Sequence, residues 1–300
     1  MEASASARTV DFGNLVALVH KHLTSFYRRR IEALDNLELK KVLVRKNPYL
    51  FRAVGIHDVG ELIQNILRAY SSSSDETIFG NEFFEPLARD LANGKTADGE
   101  GVDVLVETAT RIAAYAVKSG TSVFNSSSRR DQEQSFLKMR NRLFKTQKQF
   151  DPVVGYSYGR KSKEPKKASS FREVAGQSFW EELTGDPDCY VKILQAMQDY
   201  PDRHRIEFKA AWERAVNRFS MEFMLNFMSE DGSINWRELL QFNSGSMVVP
   251  WKPFPHGGFP PPATAARSLI GNNALTLPSP REGANPYPDI EIPPLRVAEP

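Results

Sequence analysis

The distribution of proline constrains this 300-residue chain more than any other feature of its sequence. Thirteen of the 19 prolines follow residue 249, and the stretch from 250 to 300 has neither helical nor strand periodicity. Because proline fixes φ and lacks a backbone N–H donor, such a stretch builds neither helices nor hydrogen-bonded ladders. The sequence therefore predicts a folded domain over residues 1–245 and an extended, flexible, Pro-rich tail over residues 246–300.

The composition excludes several classes of protein. Hydrophobic residues make up 41% and charged residues 25% of the chain, as in globular proteins, so the chain as a whole is not disordered. No run of apolar residues is long enough for a transmembrane helix, and the first residues lack a signal-peptide pattern, so we expect a cytoplasmic protein that does not act at a membrane. A single cysteine, Cys189, excludes an internal disulfide and a CxxC zinc site.

Periodicity predicts an α/β fold, with a small mixed sheet flanked by helices and a helical C-terminal half. Ser71 to Ser74 is predicted as a loop, and Pro86 as a kink or as the start of a helix near Glu85. The predicted helices cover residues 11–35, 58–70, 75–91, 131–150, 187–200 and 202–228, with a short closing helix from 235. The predicted strands cover residues 102–107, 112–118 and 153–159.

The first two predicted strands carry a candidate catalytic pair. If they form a hairpin that turns at Thr110 and Arg111, Asp103 lies directly opposite Lys118, on the same face of the sheet. A carboxylate can hold a divalent cation, and a neighbouring lysine can act on the attacking water or on the charge of a phosphodiester. This arrangement is typical of metal-assisted phosphodiester cleavage, although the spacing alone favours an edge-strand salt bridge.

The surrounding sequence supports the nuclease interpretation. Seven ordered segments between about residues 45 and 245 resemble the PmeII-like group of type II restriction endonucleases, within the PD-(D/E)XK nuclease superfamily. They are NPYLFRA (47–53), SSSDETIFG (72–80), GVD (101–103), VKSG (117–120), NSS (125–127), GQSFWE (176–181) and DGSINW (231–236). The resemblance implies a PD-(D/E)XK-type core that hydrolyses double-stranded DNA at a short specific sequence with Mg²⁺. It further implies a homodimer and a cognate DNA methyltransferase that acts on the same site.

The sequence departs from the superfamily motif at one metal-ligating position. The second acidic residue falls on Ala116, which cannot bind a metal, and Glu107 lies about 13 Å along the strand from Asp103. In this superfamily a helix before the hairpin often supplies a glutamate. The resemblance therefore favours Glu85 as the second ligand of Mg²⁺, followed by Glu82 and then Glu100. The alternative for Glu85 is a solvated helix face, with an i,i+4 ion pair to Arg89.

Positive charge is concentrated just after the candidate catalytic pair. Residues 129–172 contain 13 Lys and Arg against four Asp and Glu, a net charge of +9, so the rest of the chain carries −7 of the overall +2. Such a patch attracts the phosphate backbone of DNA, although a solvated helix face and a soluble loop are the alternative. The predicted DNA-binding residues are Asn125, Arg129, Arg130, Gln132, Lys138, Arg142, Lys145, Arg160 and Lys161.

Two other functions remain open at this point. One is a repair-type nuclease of the same superfamily that cleaves without sequence specificity. The other is a DNA-binding protein whose active site has decayed, and Ala116 is the main argument for it.

Overall fold

In the computed structural model, the described residues are 9–92, 95–96, 101–161 and 170–252. Polar side chains cap several helices, because Asp11, Asp58, Asn125 and Asn235 each accept a hydrogen bond from a backbone N–H in the first turn. The helices are α1 (Phe12–Asp35), α2 (Leu39–Leu43), α3 (Pro48–Ala53), α4 (Val59–Phe79), α5 (Glu85–Leu91), α6 (Ser126–Leu143), α7 (Gln177–Thr184), α8 (Cys189–Ala196), α9 (Tyr200–Phe227) and α10 (Trp236–Ser244).

Helices α4 and α5 form one continuous rod from Val59 to Leu91. A π-helical turn, Gly80–Phe84, joins them, and the Glu85 N–H donates to the Gly80 carbonyl five residues earlier. The predicted loop over residues 71–74 is therefore wrong. The serines stay helical because Ser71 Oγ donates to Asp75 Oδ2 at 3.0 Å, and because buried residues hold the rod in the core on both sides of them.

The five-stranded sheet has the order β1-β2-β3-β4-β5. Its strands are β1 (Lys95–Thr96), β2 (Val104–Glu107), β3 (Arg111–Lys118), β4 (Gln149–Tyr156) and β5 (Arg172–Ala175). Strand β2 runs antiparallel to β1 and β3, whereas β3, β4 and β5 run parallel to one another. The predicted mixed sheet within an α/β fold is therefore confirmed.

The predicted register of the β2–β3 hairpin is wrong by two residues. Val104 pairs with Tyr115 and Glu107 with Ile112, so Asp103 does not lie directly opposite Lys118. The turn is centred one residue earlier than predicted, because Thr108 donates its N–H to the Arg111 carbonyl and its Oγ1 accepts from the Arg111 N–H. Since side chains alternate with a period of two, a shift of two residues preserves the predicted faces.

The predicted helix over residues 131–150 is also displaced. Asn125 forms a capping box with Ser128, so α6 begins at residue 126 and ends at Leu143. A 3₁₀ turn (Phe144–Thr146) follows, and Gln147 adopts a left-handed conformation before β4 begins. Phe150 thus belongs to the strand, where it pairs with Ile112 of β3.

Both faces of the sheet are covered. Val104, Tyr115 and Val117 face a core shared with α1, α5, α7 and α8. Ala114 and Ala116 face the smaller core beneath α6. A third apolar cluster joins α2, the first half of α4, α9 and α10. This helical cluster and the sheet share the α4–α5 rod, which fixes the position of α5 beside the strand ends.

His204 of α9 is buried against α1. Its ring stacks on Tyr27, with centroids 3.9 Å apart, and only 6% of the residue is exposed. Neither ring nitrogen has a hydrogen-bond partner among the described residues. Burial, assisted by the nearby Arg30 cation and opposed by Asp75, lowers the pKa of His204 to about 4.

The described chain remains packed beyond α10. Trp251 contacts Phe227 and Phe242, with ring centroids 5.9 and 5.4 Å apart. The Asn226 side-chain amide bonds to both backbone polar groups of Lys252. Residues 253–300 lie outside the described part, so the predicted Pro-rich tail and its boundary at 245 stay predictions.

Candidate active site

Three of the predicted catalytic residues meet at the carboxyl end of β3. Asp103 immediately precedes β2, Lys118 is the last residue of β3, and Glu85 is the first residue of α5. Lys118 Nζ lies 3.9 Å from Asp103 Oδ2, and the Val117 N–H donates to the same oxygen at 2.7 Å. The hairpin therefore positions Asp103 with a backbone hydrogen bond as well as with the lysine cation.

Glu85 and Lys118 line one cleft, which we call the active-site cleft, with a volume of about 440 Å³. Its walls come from the end of α4, the π-helical turn, the loop after β3 and Tyr158. The carboxyl ends of β3 and β4 meet here because the two strands are parallel. Such an edge is a common location for ligand-binding sites in α/β proteins.

The pKa values of both carboxylic acids in the site are raised. Burial raises the pKa of Asp103, and Lys118, the Val117 N–H and Arg89 offset the burial only in part. Burial raises the pKa of Glu85 to about 7, with a further contribution from the negative charge of Asp103. A bound cation would relieve both effects, because it favours the ionised form of each carboxylate.

This donor set fits a hard divalent cation, since carboxylate oxygens are the ligands that Mg²⁺ prefers. Within the described residues no cluster of three or more His, Cys, Asp or Glu side chains is present. Two protein carboxylates are consistent with Mg²⁺, which usually retains several waters. Asp103 Oδ1 makes no hydrogen bond in the described part of the chain and is available as a ligand.

A comparison with protein-family models places the chain in a known group of proteins. The model of the type II restriction endonuclease EcoO109I matches residues 13–204, which is more than half of the chain and contains Glu85, Asp103 and Lys118. The chain belongs to the EcoO109I family of type II restriction endonucleases. This membership confirms the predicted restriction endonuclease, although it does not single out the PmeII-like group. A comparison with curated proteins finds no match.

The other glutamates considered as ligands in this EcoO109I-family chain are engaged elsewhere or not described. Glu82 accepts a hydrogen bond from Ser25 Oγ at 2.6 Å, and Glu107 pairs with Lys148 at the opposite end of the hairpin. Glu100 lies outside the described residues. Glu85 forms no ion pair with Arg89 within 4 Å, so the i,i+4 pair of the alternative interpretation is absent.

Ala116, at the motif position that usually carries the second acid, is fully buried beneath α6. Its neighbours in that cluster include Phe136, Val154 and Tyr156. A carboxylate at this position would lose its hydration among these side chains. The apolar packing beneath α6 therefore explains why an alanine is tolerated here, while Glu85 approaches the cleft from the opposite side of the sheet.

The sequence did not reveal the rim of the active-site cleft. Tyr158 Oη donates to Glu76 Oε1 at 2.6 Å, which links the end of β4 to α4 beside Lys118. The parallel pairing of β3 with β4 brings the residues after both strands to the same edge of the sheet. This pairing would have located the rim, but the strand order is not known from the sequence.

The predicted DNA-binding residues fall into two groups. Arg130, Lys138, Arg142, Lys145 and Arg160 are exposed. The remaining four have structural roles: Arg129 and Lys161 pair with Glu173, Asn125 caps α6, and Gln132 is buried and donates to the Gly101 carbonyl. Because Gln132 is buried inside the fold, its side chain cannot reach a base edge.

No helix in the described ranges of this EcoO109I-family chain is long and apolar enough to cross a membrane.

Proposed function

We propose that this chain is a Mg²⁺-dependent type II restriction endonuclease that hydrolyses double-stranded DNA at a short specific sequence. The observation that carries the proposal is the convergence of Glu85, Asp103 and Lys118 at the carboxyl end of β3. Family membership supports a restriction nuclease, and the charge of the site supports a divalent cation as its cofactor. Placement in the PmeII-like group is the finer form of the proposal.

Each residue of the site has a distinct role in this proposal. Asp103, fixed by the Val117 N–H, and Glu85 would hold the cation between two elements of the fold. When bound, Mg²⁺ supplies Lewis-acid polarisation of the phosphodiester and a water of lowered pKa. Lys118 would orient the attacking water and donate to a phosphate oxygen, where its cation offsets the charge that develops during displacement.

The partner of the site would be duplex DNA. The exposed cations of α6 and the following segment, Arg130, Lys138, Arg142, Lys145 and Arg160, would contact the phosphate backbone. A palindromic target requires a two-fold symmetric reader, so we propose a homodimer. A DNA methyltransferase of the same specificity would protect the host's own sites.

Lys118→Ala tests this function. The side chain is 28% exposed at the end of a strand, so its loss should leave the fold intact. We expect cleavage of plasmid DNA with Mg²⁺ to fall at least about a hundredfold, while DNA binding stays within a few-fold of the wild type. Lys148→Ala, which removes a lysine at the other end of the hairpin, is the matched control and should retain cleavage.

The pattern of the digest distinguishes the alternatives. Discrete bands from the wild-type protein support a site-specific enzyme, whereas a smear indicates a nuclease without sequence specificity. Wild-type protein that binds DNA and never cleaves it would favour a decayed site, as the alanine at position 116 suggests. Near-normal cleavage by Lys118→Ala would refute the assignment of this hairpin as the active site.

A further inference from the structure

A second cleft of about 580 Å³ lies between α2 and α4, and we call it the α2–α4 groove. Lys41, Arg45 and Lys46 line one wall, and hydroxyl-bearing residues of α4, including Ser73 and Thr77, line the other. No acidic side chain is among the described residues that line it. The groove therefore combines cations with hydroxyl donors, which are the groups that proteins use to contact phosphate.

The cations of the groove are available for a ligand. Lys41 forms an exposed ion pair with Glu38. Arg45 and Lys46 have no ion-pair partner in the described part of the chain, and Arg45 is exposed. Their two charges are thus not neutralised within the groove.

The walls of the groove are held rigidly. Leu39, Val42 and Leu43 of α2 are buried in the same cluster as Ile66 and Leu67 of α4. The carbonyls of residues 43 and 46 both accept hydrogen bonds from the Asn243 side chain of α10. The cations are therefore displayed from a fixed backbone, which limits the entropy lost when they bind a ligand.

The groove continues toward the active-site cleft. Thr77 lines both clefts, and the α4–α5 rod carries the groove residues and Glu85. From Ser73 to Glu85 the rod spans twelve residues, or about 18 Å at the helical rise. This span corresponds to about five nucleotides of one DNA strand.

We propose that the α2–α4 groove binds the phosphate backbone of the DNA about five nucleotides from the bond that is cleaved. The inference rests on the proposed function, because it places the groove on the path of the same duplex. It adds a contact surface outside the basic segment over residues 129–172. The helical cluster of α2, α4, α9 and α10 thereby becomes part of the DNA interface.

The test is the salt dependence of binding by the full chain to a duplex of about 30 base pairs, without divalent cations. Arg45→Gln/Lys46→Gln should weaken binding about tenfold or more near 0.1 M salt and reduce the slope of log K against log salt by about two. Arg45→Gln alone should give about half of the slope change. The matched control is Arg205→Gln/Lys209→Gln, which removes two exposed cations of α9 outside the groove and should change neither quantity.

The outcomes separate this proposal from the proposed function. One outcome overturns the groove proposal while the proposed function stands. In it, the wild type cleaves DNA, and the groove variant melts at the normal temperature and binds DNA with an unchanged salt slope. If the groove variant binds DNA normally but no longer binds polyglutamate, the groove is a site for an acidic protein, and this result also overturns the proposal.

Discussion

Acidification from about pH 7.5 to about pH 5 should destabilise the protein through His204. This buried imidazole has a folded-state pKa of about 4, against 6.5 for the unfolded chain. Above pH 6.5 both states are neutral at this position and the full stability is present. Below it the unfolded chain binds the proton first, so stability is lost as the pH falls toward 4. The full difference corresponds to about 3 kcal/mol, of which about 2 kcal/mol is lost by pH 5.

Burial sets the sign of this effect, and the charged groups near His204 modify its size. Arg30, which donates hydrogen bonds from Nε and Nη2 to the two carboxylate oxygens of Asp75, disfavours a second cation beside it. Asp75 acts in the opposite direction but is already neutralised by this pair. Burial against Tyr27 is the largest cause, so the effect should be nearly independent of salt.

Urea unfolding followed by tryptophan fluorescence, at both pH values, measures this contribution. His204→Phe retains the ring stack and removes the titration, so its free energy of unfolding should fall by about 2 kcal/mol less than that of the wild type. His57→Phe, which changes an exposed histidine, is the control and should follow the wild type. An equal loss of stability in the wild type and in His204→Phe would refute the reasoning.

Three further predictions concern the site and the fold. Cleavage is compared for Glu85→Gln, Glu82→Gln and Glu107→Gln across a Mg²⁺ titration. We expect Glu85→Gln to reduce cleavage most, with little change in melting temperature. If only Glu107→Gln reduced cleavage, a ligand supplied by the helix would be excluded. A chain that ends at residue 252 should melt cooperatively near the melting temperature of the full-length chain. A chain that ends at residue 245 loses the contacts of Trp251 and should lose about 2 kcal/mol of stability, which calorimetry would detect. Gly155→Ala would place a Cβ against the ring of the buried Phe179, closer than van der Waals contact allows, so urea unfolding should show a loss of about 1–3 kcal/mol; wild-type stability would contradict this packing.

The sequence was most informative where local rules decide the structure. The apolar periodicity over residues 11–35 predicts α1 to within one residue at its start, and the β-branched run before Glu107 predicts β2. The meeting of Asp103 with Lys118 was predicted despite the wrong register, because a two-residue shift preserves the side on which a side chain lies.

The features that the sequence did not predict depend on distant residues. Phe150 fits a helical stripe, yet its strand pairs in parallel with β3, almost forty residues earlier. Strand β5 is four residues long and is defined by its pairing with β4, so it has no clear local signal. The Val117 N–H that fixes Asp103 is a backbone group, and backbone groups leave no mark on residue type.

The continuous rod from Val59 to Leu91 has a consequence for how this protein can change over evolution. Each inserted or deleted residue between the α2–α4 groove and Glu85 would rotate one relative to the other by about 100° and shift it by about 1.5 Å. A change of one or two residues would turn the glutamate away from the strands, whereas seven residues, about two full turns, would nearly restore its direction. The length of the rod thus fixes the direction of Glu85 relative to the groove. We expect variants with insertions or deletions in this segment to remain active only when the length changes by about seven residues.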